Sequence, residues 1–364
     1  MAQLLMVDVG LGAIAAALGL LSATDGIGTL LGAIALVILG AALVLGSVIR
    51  IRGRWAYQHL LAWARLRRSG RRMRITPTDP AAPAPAPLFA LTGGYAIETI
   101  PGPRQSSLGA VSCGTAWTVA LEVMADDLLN DDPGLPLGDL PSLLTIEGVT
   151  LAQVRVLTLA APAHAGQPGE PAALPRSAAR ICLLTLDTRT AADALNARGG
   201  SMAALAQILR RCVLRAEEML ASHGLASRPV DAPAMTRLLD ASLGLHALAA
   251  GDAQPHERWA HVSFGAGQAV SVALGGDASR GLAVADELLA TLPGAVTASA
   301  VIVSGSSAEP LTTLLVRAST LDAGGTDIAA RIEGAAHARG LRVDALRGRQ
   351  RDALLLTVPL VVGS

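Results

Sequence analysis

The sequence contains no lysine: all 29 basic residues among its 364 are arginine. That absence excludes whole classes of chemistry. A Walker A loop needs its lysine on the phosphates, a protein kinase needs its strand lysine, and Schiff-base enzymes need a lysine amine. Charged residues are also scarce, at 16%, where a typical soluble domain has nearer a quarter. Aromatics make up only 2%. The three cysteines, Cys113, Cys182 and Cys212, are odd in number and widely spaced. They suggest neither a disulfide framework nor a zinc site, and read as small buried hydrophobes in a reducing compartment.

What charge there is sums to zero but is split along the chain. Residues 1–74 hold nine arginines and two aspartates, a net +7; the remainder holds 20 arginines and 27 acids, a net −7. Ile27–Ile49 is an uninterrupted uncharged run. As a helix it is about 34 Å long, enough to cross a bilayer core. A first apolar segment, Leu4–Ala23, carries Asp8, and no Lys or Arg precedes residue 50. The lack of a positive n-region argues against a cleaved signal peptide. The pattern predicts two transmembrane helices over 1–49, a hairpin joined near Ser22–Gly26. A basic juxtamembrane segment follows over 50–74. Arg50, Arg52, Arg54, Arg65, Arg67 and Arg68, with Trp55 and Trp63 among them, form the predicted membrane interface, continuing the second helix or lying on the surface. The arginines favour anionic headgroups and place both termini and the body in the cytoplasm. A basic run abutting a span is read as a lipid contact, not as a nucleic-acid site.

Prolines at 77, 80, 83, 85 and 87 resist helix and sheet and favour an extended spacer; the linker is assigned to 75–104. The rest alternates short strand-like runs with helical ones. Strands are expected at Trp117–Val123, Val149–Ala160, Ala179–Leu186, Val296–Val303 and Leu311–Ala318, with a hairpin around Gly265–Gly267. Ser201–His223 has apolar residues at helical spacing and Gly224 as its stop. Asp327–Arg339 is another helix, and Leu341–Leu346 and Asp352–Val361 read as closing strands. Both halves thus run strand, helix, strand, strand, helix. The expected fold is an α+β (or α/β) cytosolic body of two similar subdomains, 105–250 and 256–364, behind the transmembrane hairpin.

Chemistry-bearing motifs do not assemble. His256 and His261 are five apart, not the four of a zinc-protease helix, so no metal site is assigned. Asp126, Asp127, Asp131 and Asp132 read as a solvated acidic loop. Arg331–Ala336 matches an R-x-x-G-x-A acetyl-coenzyme A pattern, but inside a helical run, where the backbone N–H groups are already bonded. Arg198-Gly199-Gly200 reads as a turn between two helices, with Ser201 as N-cap of the second. No catalytic residue and no cofactor is assigned.

In this order the residues resemble a known family. Gly109 followed by Trp117-Thr-Val-Ala-Leu-Glu-Val, the Leu135-Pro136-Leu137 segment with Leu140, Leu143 and Leu144, Asn196-Ala197-Arg198-Gly199-Gly200 before a long Ala/Leu/Arg helix, and His256-Glu257-Arg258-Trp259 are together similar to EccE, a membrane component of the actinobacterial type VII (ESX) secretion system. Arg180-Ile-Cys-Leu-Leu-Thr-Leu departs from the family's strand with tryptophan and arginine. The resemblance marks Trp117, Arg198, Gly199, Gly200, Arg258 and Trp259 as family-motif residues. It implies a non-catalytic inner-membrane subunit that scaffolds an assembly with EccB-, EccC- and EccD-like proteins, leaving ATP hydrolysis to EccC. The alternatives from other classes are a membrane-anchored acyltransferase-like enzyme and a cytosolic ligand sensor.

Overall fold

A computed structural model describes residues 91–360 except 93, 126–135, 162–176, 244–254, 265–266, 278, 283, 286–295 and 321–324. Of the first 90 it describes residues 12, 14–16, 34–38, 40–41, 44, 50–51, 54–55 and 63–64. Two compact units divide the chain at Arg72 and Met73.

In the first unit, residues 12, 14–16, 34–38, 40–41, 44 and 63–64 are helical. Ile34 and Ile38 are exposed and, four residues apart, share a helix face. No helix among the described residues is long and apolar enough to cross a membrane; the two expected spans lie largely outside those residues. Strand β1 (Arg50–Ile51) pairs antiparallel with β2 (Arg54–Trp55), Ile51 opposite Arg54. The juxtamembrane segment therefore does not continue the second helix as an unbroken helix. Trp63 is exposed on a helical turn, whereas Arg52, Arg65, Arg67 and Arg68 lie outside the described residues.

In the second unit the first half supplies β3 (Ala96–Pro101), β4 (Ser107–Cys113), β5 (Ala116–Ala125), β6 (Thr145–Ile146), β7 (Val149–Thr150), β8 (Gln153–Ala161) and β9 (Ser177–Asp187). Helices α1 (Ala192–Asn196) and α2 (Met202–Ser222), strand β10 (Leu225–Pro229) and helix α3 (Ala232–Leu243) complete it. The second half supplies β11 (Pro255–Glu257), β12 (Val262–Phe264), β13 (Gly267–Gly275), β14 (Val296–Gly305) and β15 (Pro310–Thr320), then α4 (Gly325–Ala338), β16 (Arg342–Asp344) and α5 (Gln350–Leu356). Twelve strands form one sheet in the order β11-β12-β13-β15-β14-β8-β9-β5-β4-β3, with β10 also on β5 and β16 also on β13. Every pairing is antiparallel among the described strands. The architecture is therefore α+β and not α/β.

The sheet is apolar on both faces, so it must be covered on both. Trp117, Val119, Leu121 and Val123 of β5 point to one core, shared with Leu205, Leu209 and Cys212 of α2 and Ile332 and Ala336 of α4. Ala120, Leu157 and Leu183 point to the other, shared with Met235 and Leu239 of α3 and Ala353 and Leu354 of α5. A close approach fixes one joint: a side chain on Gly109 would meet backbone atoms of Asp231 and Ala232 at 2.7–2.8 Å, where α3 begins.

The halves repeat one plan. Read outward from the central β8–β14 pairing, the sheet runs β8-β9-β5-β4-β3 on one side and β14-β15-β13-β12-β11 on the other. The far ends of β5 and β13 take on β10 and β16 in the same way. The longer helices α2 and α4 share one face, and α3 and α5 the other. This is the arrangement of a pseudo-dyad normal to the sheet between β8 and β14. It agrees with the repeated element order read in the sequence, but both halves contribute to one continuous sheet within one compact unit.

Two buried arginines tie the halves together. Arg155 on β8, fully buried, donates from Nη1 to the carbonyls of Leu355 (3.5 Å), Leu356 (3.0 Å) and Val358 (3.0 Å), and from Nη2 to that of Leu360 (3.1 Å). It caps the C-terminus of α5, in the other half. Arg317 on β15, also fully buried, donates from Nη2 to the Ser242 carbonyl at the end of α3, again in the other half. The last carbonyls of a helix lack partners and carry partial negative charge, so a guanidinium satisfies both needs. Burial lowers the pKa of Arg155 to about 9 and of Arg317 to about 10, which leaves both charged at neutral pH. Carboxylates hold the opposite ends: Asp231 Oδ1 accepts from the Ala234 amide (2.8 Å) at the start of α3, and Glu257 Oε1 accepts from the Arg351 amide (3.0 Å) at the start of α5.

Two expectations are corrected here. Gln350–Leu356 is a helix, not part of a closing strand; a short Ala-Leu-Leu-Leu run is equally apolar in either form, and periodicity cannot separate them. Ala96–Pro101, assigned to the linker, is the outermost strand on its side of the sheet, and its proline falls at the strand end, where an edge tolerates it. Arg155→Leu leaves the four carbonyls unpaired and is expected to destabilise the body by about 2–4 kcal/mol. Denaturant melts of the full chain check this, with an exposed substitution such as Arg210→Leu as the near-neutral control.

Candidate functional site

The family-motif residues fall into two structural corners. The first joins α1 to α2. Gly200 N–H donates to the Leu195 carbonyl (2.9 Å), closing the end of α1. Gly199 and Gly200 stand at φ +94° and +61°, a left-handed backbone that disfavours side chains. The Arg198 side chain turns back, its Nη1 donating to the Ala194 carbonyl (3.0 Å). Ser201 Oγ then accepts from the Ala204 amide (3.3 Å) as N-cap of α2. The turn reading of Arg198-Gly199-Gly200 therefore holds, and Arg198 is committed to a helix carbonyl. Trp117 lies opposite Leu186 in the adjoining strand. It shares a core cluster with Ala191 and Leu195 of this corner.

Arg258 and Trp259 sit elsewhere, in the turn between β11 and β12. Arg258 N–H donates to the His261 carbonyl (2.8 Å), and the Trp259 carbonyl accepts from Gly348 (2.8 Å). With Glu257 at the N-terminus of α5, this turn docks the closing helix. Its histidines do not converge: no group of His, Cys, Asp and Glu that could hold a metal exists among the described residues. Asp126, Asp127, Asp131 and Asp132 lie outside the described residues.

Other candidates resolve as structure. Arg331–Ala336 lies within α4, so its amides are helix donors and do not form an open anion loop. Cys182 and Cys212 are buried, which pushes their thiols up to about 12 and keeps them protonated. The outward side of α2 pairs its charges locally: Arg211 with Glu147, Arg215 with Glu218 (3.1 Å) and His223 Nε2 with Asp139 Oδ2 (2.7 Å). Such exposed pairs contribute little each, but the first joins the β6–β7 hairpin to α2 and the third joins the start of the short Leu140–Leu144 helix to the end of α2. Met202 stands exposed at the start of that helix.

Comparison with known proteins bears on this region. Residues 175–274 match the family described as "Putative type VII ESX secretion system translocon, EccE". This stretch is EccE-like. It runs from β9 through the α1–α2 corner, α3 and the β11–β12 turn almost to the end of β13, so it holds five of the six family-motif residues: Arg198, Gly199, Gly200, Arg258 and Trp259. Trp117 lies outside it. No curated protein matches the chain.

Within the EccE-like stretch, Glu217 of α2 is a feature the sequence did not single out. It is 7% exposed on the core side of the helix. Among the described residues its carboxylate has Arg104, 3.8 Å away, as its one ionic neighbour. Arg104 and Gln105 hold φ of 49° and 65° in the turn that brings Arg104 there, a strained conformation for residues with side chains. Burial raises the Glu217 pKa and Arg104 partly opposes it. A carboxyl whose folded pKa lies above its unfolded one binds its proton more tightly when folded, so it loses stability as pH rises through that value. Glu217→Gln is therefore expected to raise the melting temperature at pH 7 and to leave it unchanged below pH 4, where both side chains are neutral. Thermal melts across that range check the sign.

Proposed function

We propose that this chain is a non-catalytic membrane subunit of a type VII ESX translocon. In this reading two N-terminal helices anchor it, its arginine-rich segment contacts anionic headgroups, and its body lies in the cytoplasm against EccB-, EccC- and EccD-like components. The match of residues 175–274 to EccE carries the reading. The matched stretch joins the two pseudo-symmetric halves, so it bears on the part of the body that sets their register.

The sequence supports a role without catalysis. It offers no lysine for phosphate or Schiff-base chemistry, and of its family-motif residues Arg198, Gly199, Gly200, Arg258 and Trp259 lie in caps and turns while Trp117 packs in the core. The acyltransferase alternative gains no support from its one motif, which is buried in the hydrogen bonding of α4. Body and anchor then divide the labour: the spans fix position, and a rigid two-faced sheet presents surfaces to neighbours.

Affinity purification of the tagged full chain after mild detergent extraction, with mass spectrometry, is expected to recover the other membrane components of the secretion complex. A chain that stays alone beside an intact complex overturns the proposal. Orientation has its own test. A single cysteine in Ser22–Gly26 should react with an impermeant thiol reagent in intact cells, and one in the body should not, with Cys113, Cys182 and Cys212 replaced. Labelling of the body from outside would reverse the topology.

A further inference from the structure

Arg155 and Arg317 are both fully buried on the same face of the sheet, and the Nε of each lacks an acceptor, but only Arg155 has acceptors for both of its Nη groups. Arg155 places both Nη groups on carbonyls. Arg317 uses Nη2 on the Ser242 carbonyl, while its Nε and Nη1 have no partner. No carboxylate pairs with it among the described residues.

The polar side chains flanking Arg317 in register are two hydroxyls, each able to donate one hydrogen bond. Ser271 stands directly opposite it in β13, and Ser319 lies two residues further along β15. Opposite residues, and residues two apart on one strand, share a sheet face, so both hydroxyls lie on the guanidinium side. Both are buried without a hydrogen-bond partner. The remaining flanks are small: Ala298 opposite Arg317 in β14, and Ala269 opposite Ser319 in β13.

Buried polar groups are nearly always satisfied, and charged ones most of all. Here the unpartnered guanidinium N–H groups of Nε and Nη1 and two unpartnered hydroxyls share one face of adjoining strands, with one positive charge that no carboxylate among the described residues offsets. A water accepts only two hydrogen bonds and leaves that charge in place. A monovalent anion accepts from all of them and neutralises it. A divalent oxyanion brings excess negative charge beside the carbonyl end of α3. We propose that Arg317, Ser271 and Ser319 form a buried binding site for one small monovalent anion of the halide class. The anion takes up the Arg317 donors that the single α3 carbonyl leaves unused, the part that further carbonyls play for the Nη groups of Arg155 at α5. This site is independent of the secretion reading.

Chloride is the probe. The full chain in mild detergent is melted in sodium gluconate and in sodium chloride at equal ionic strength, gluconate being too large to enter. Chloride is expected to raise the melting temperature by about 2–4 °C with a saturable dependence, and Ser271→Ala/Ser319→Ala should abolish the rise. Crystals grown in bromide should show an anomalous peak beside Arg317 Nη1. Equal melting temperatures in the two salts, a rise that persists in the double variant, or an ordered water in place of the bromide peak would each overturn the site. If the double variant does not fold, Ser319→Ala alone and the bromide peak decide the question.

Discussion

Two helix C-termini need a cation in the core, and the body is organised around how they obtain it. Helices α3 and α5 lie across the same face of the sheet, and each ends over strands of the opposite half. Each end meets a buried arginine that those strands supply: Arg155 for α5 and Arg317 for α3. Neither half therefore completes its own helix. Removing one half would leave a guanidinium without carbonyls on one side and carbonyls without a guanidinium on the other. A lone cation in an apolar core is costly, and reciprocal exchange is what makes two of them tolerable.

The same constraint gives physical sense to a chain without lysine. A buried ammonium readily gives up its proton. A guanidinium keeps its charge and carries five donors in a planar fork, so Arg155 can meet four carbonyls around the end of one helix. Arg198 repeats the device at smaller scale on the end of α1, and Arg351 donates to the Leu91 carbonyl where the body begins. At these positions arginine acts as a backbone-capping residue, and the family-motif positions Arg198, Gly199 and Gly200 belong to that structural role.

Much of the local structure was legible in the residues. Ser201 as N-cap, the apolar stripe through Leu205, Leu209 and Cys212, and Gly224 as stop delimit α2 as it occurs. The β12–β13 hairpin follows its glycines. The turn at Arg198-Gly199-Gly200 was readable because positive φ and a helix start both leave marks in residue type. The failures have physical causes as well. The expected strand Asp352–Val361 begins inside a helix, Gln350–Leu356, because a continuous apolar run carries no period. The strand at Ala96–Pro101 was hidden among prolines. Nothing in the residues around Glu217 marks it as buried, since only packing decides which side of α2 faces inward at that turn.

By itself, then, the sequence determined where helices start and stop, which runs are apolar enough to be strands or spans, and which chemistries its missing lysine forbids. These are matters of local sterics, capping and periodicity, carried by residues near one another in the chain. Only the tertiary structure decided that the two similar halves share one sheet, and that Arg155 and Arg317 lie inside it, each at the end of the other half's helix. The partners of Arg155 lie 200 to 205 residues away in the chain. A contact at that separation is fixed by sheet register and helix direction together, and no short stretch of residues encodes either one alone.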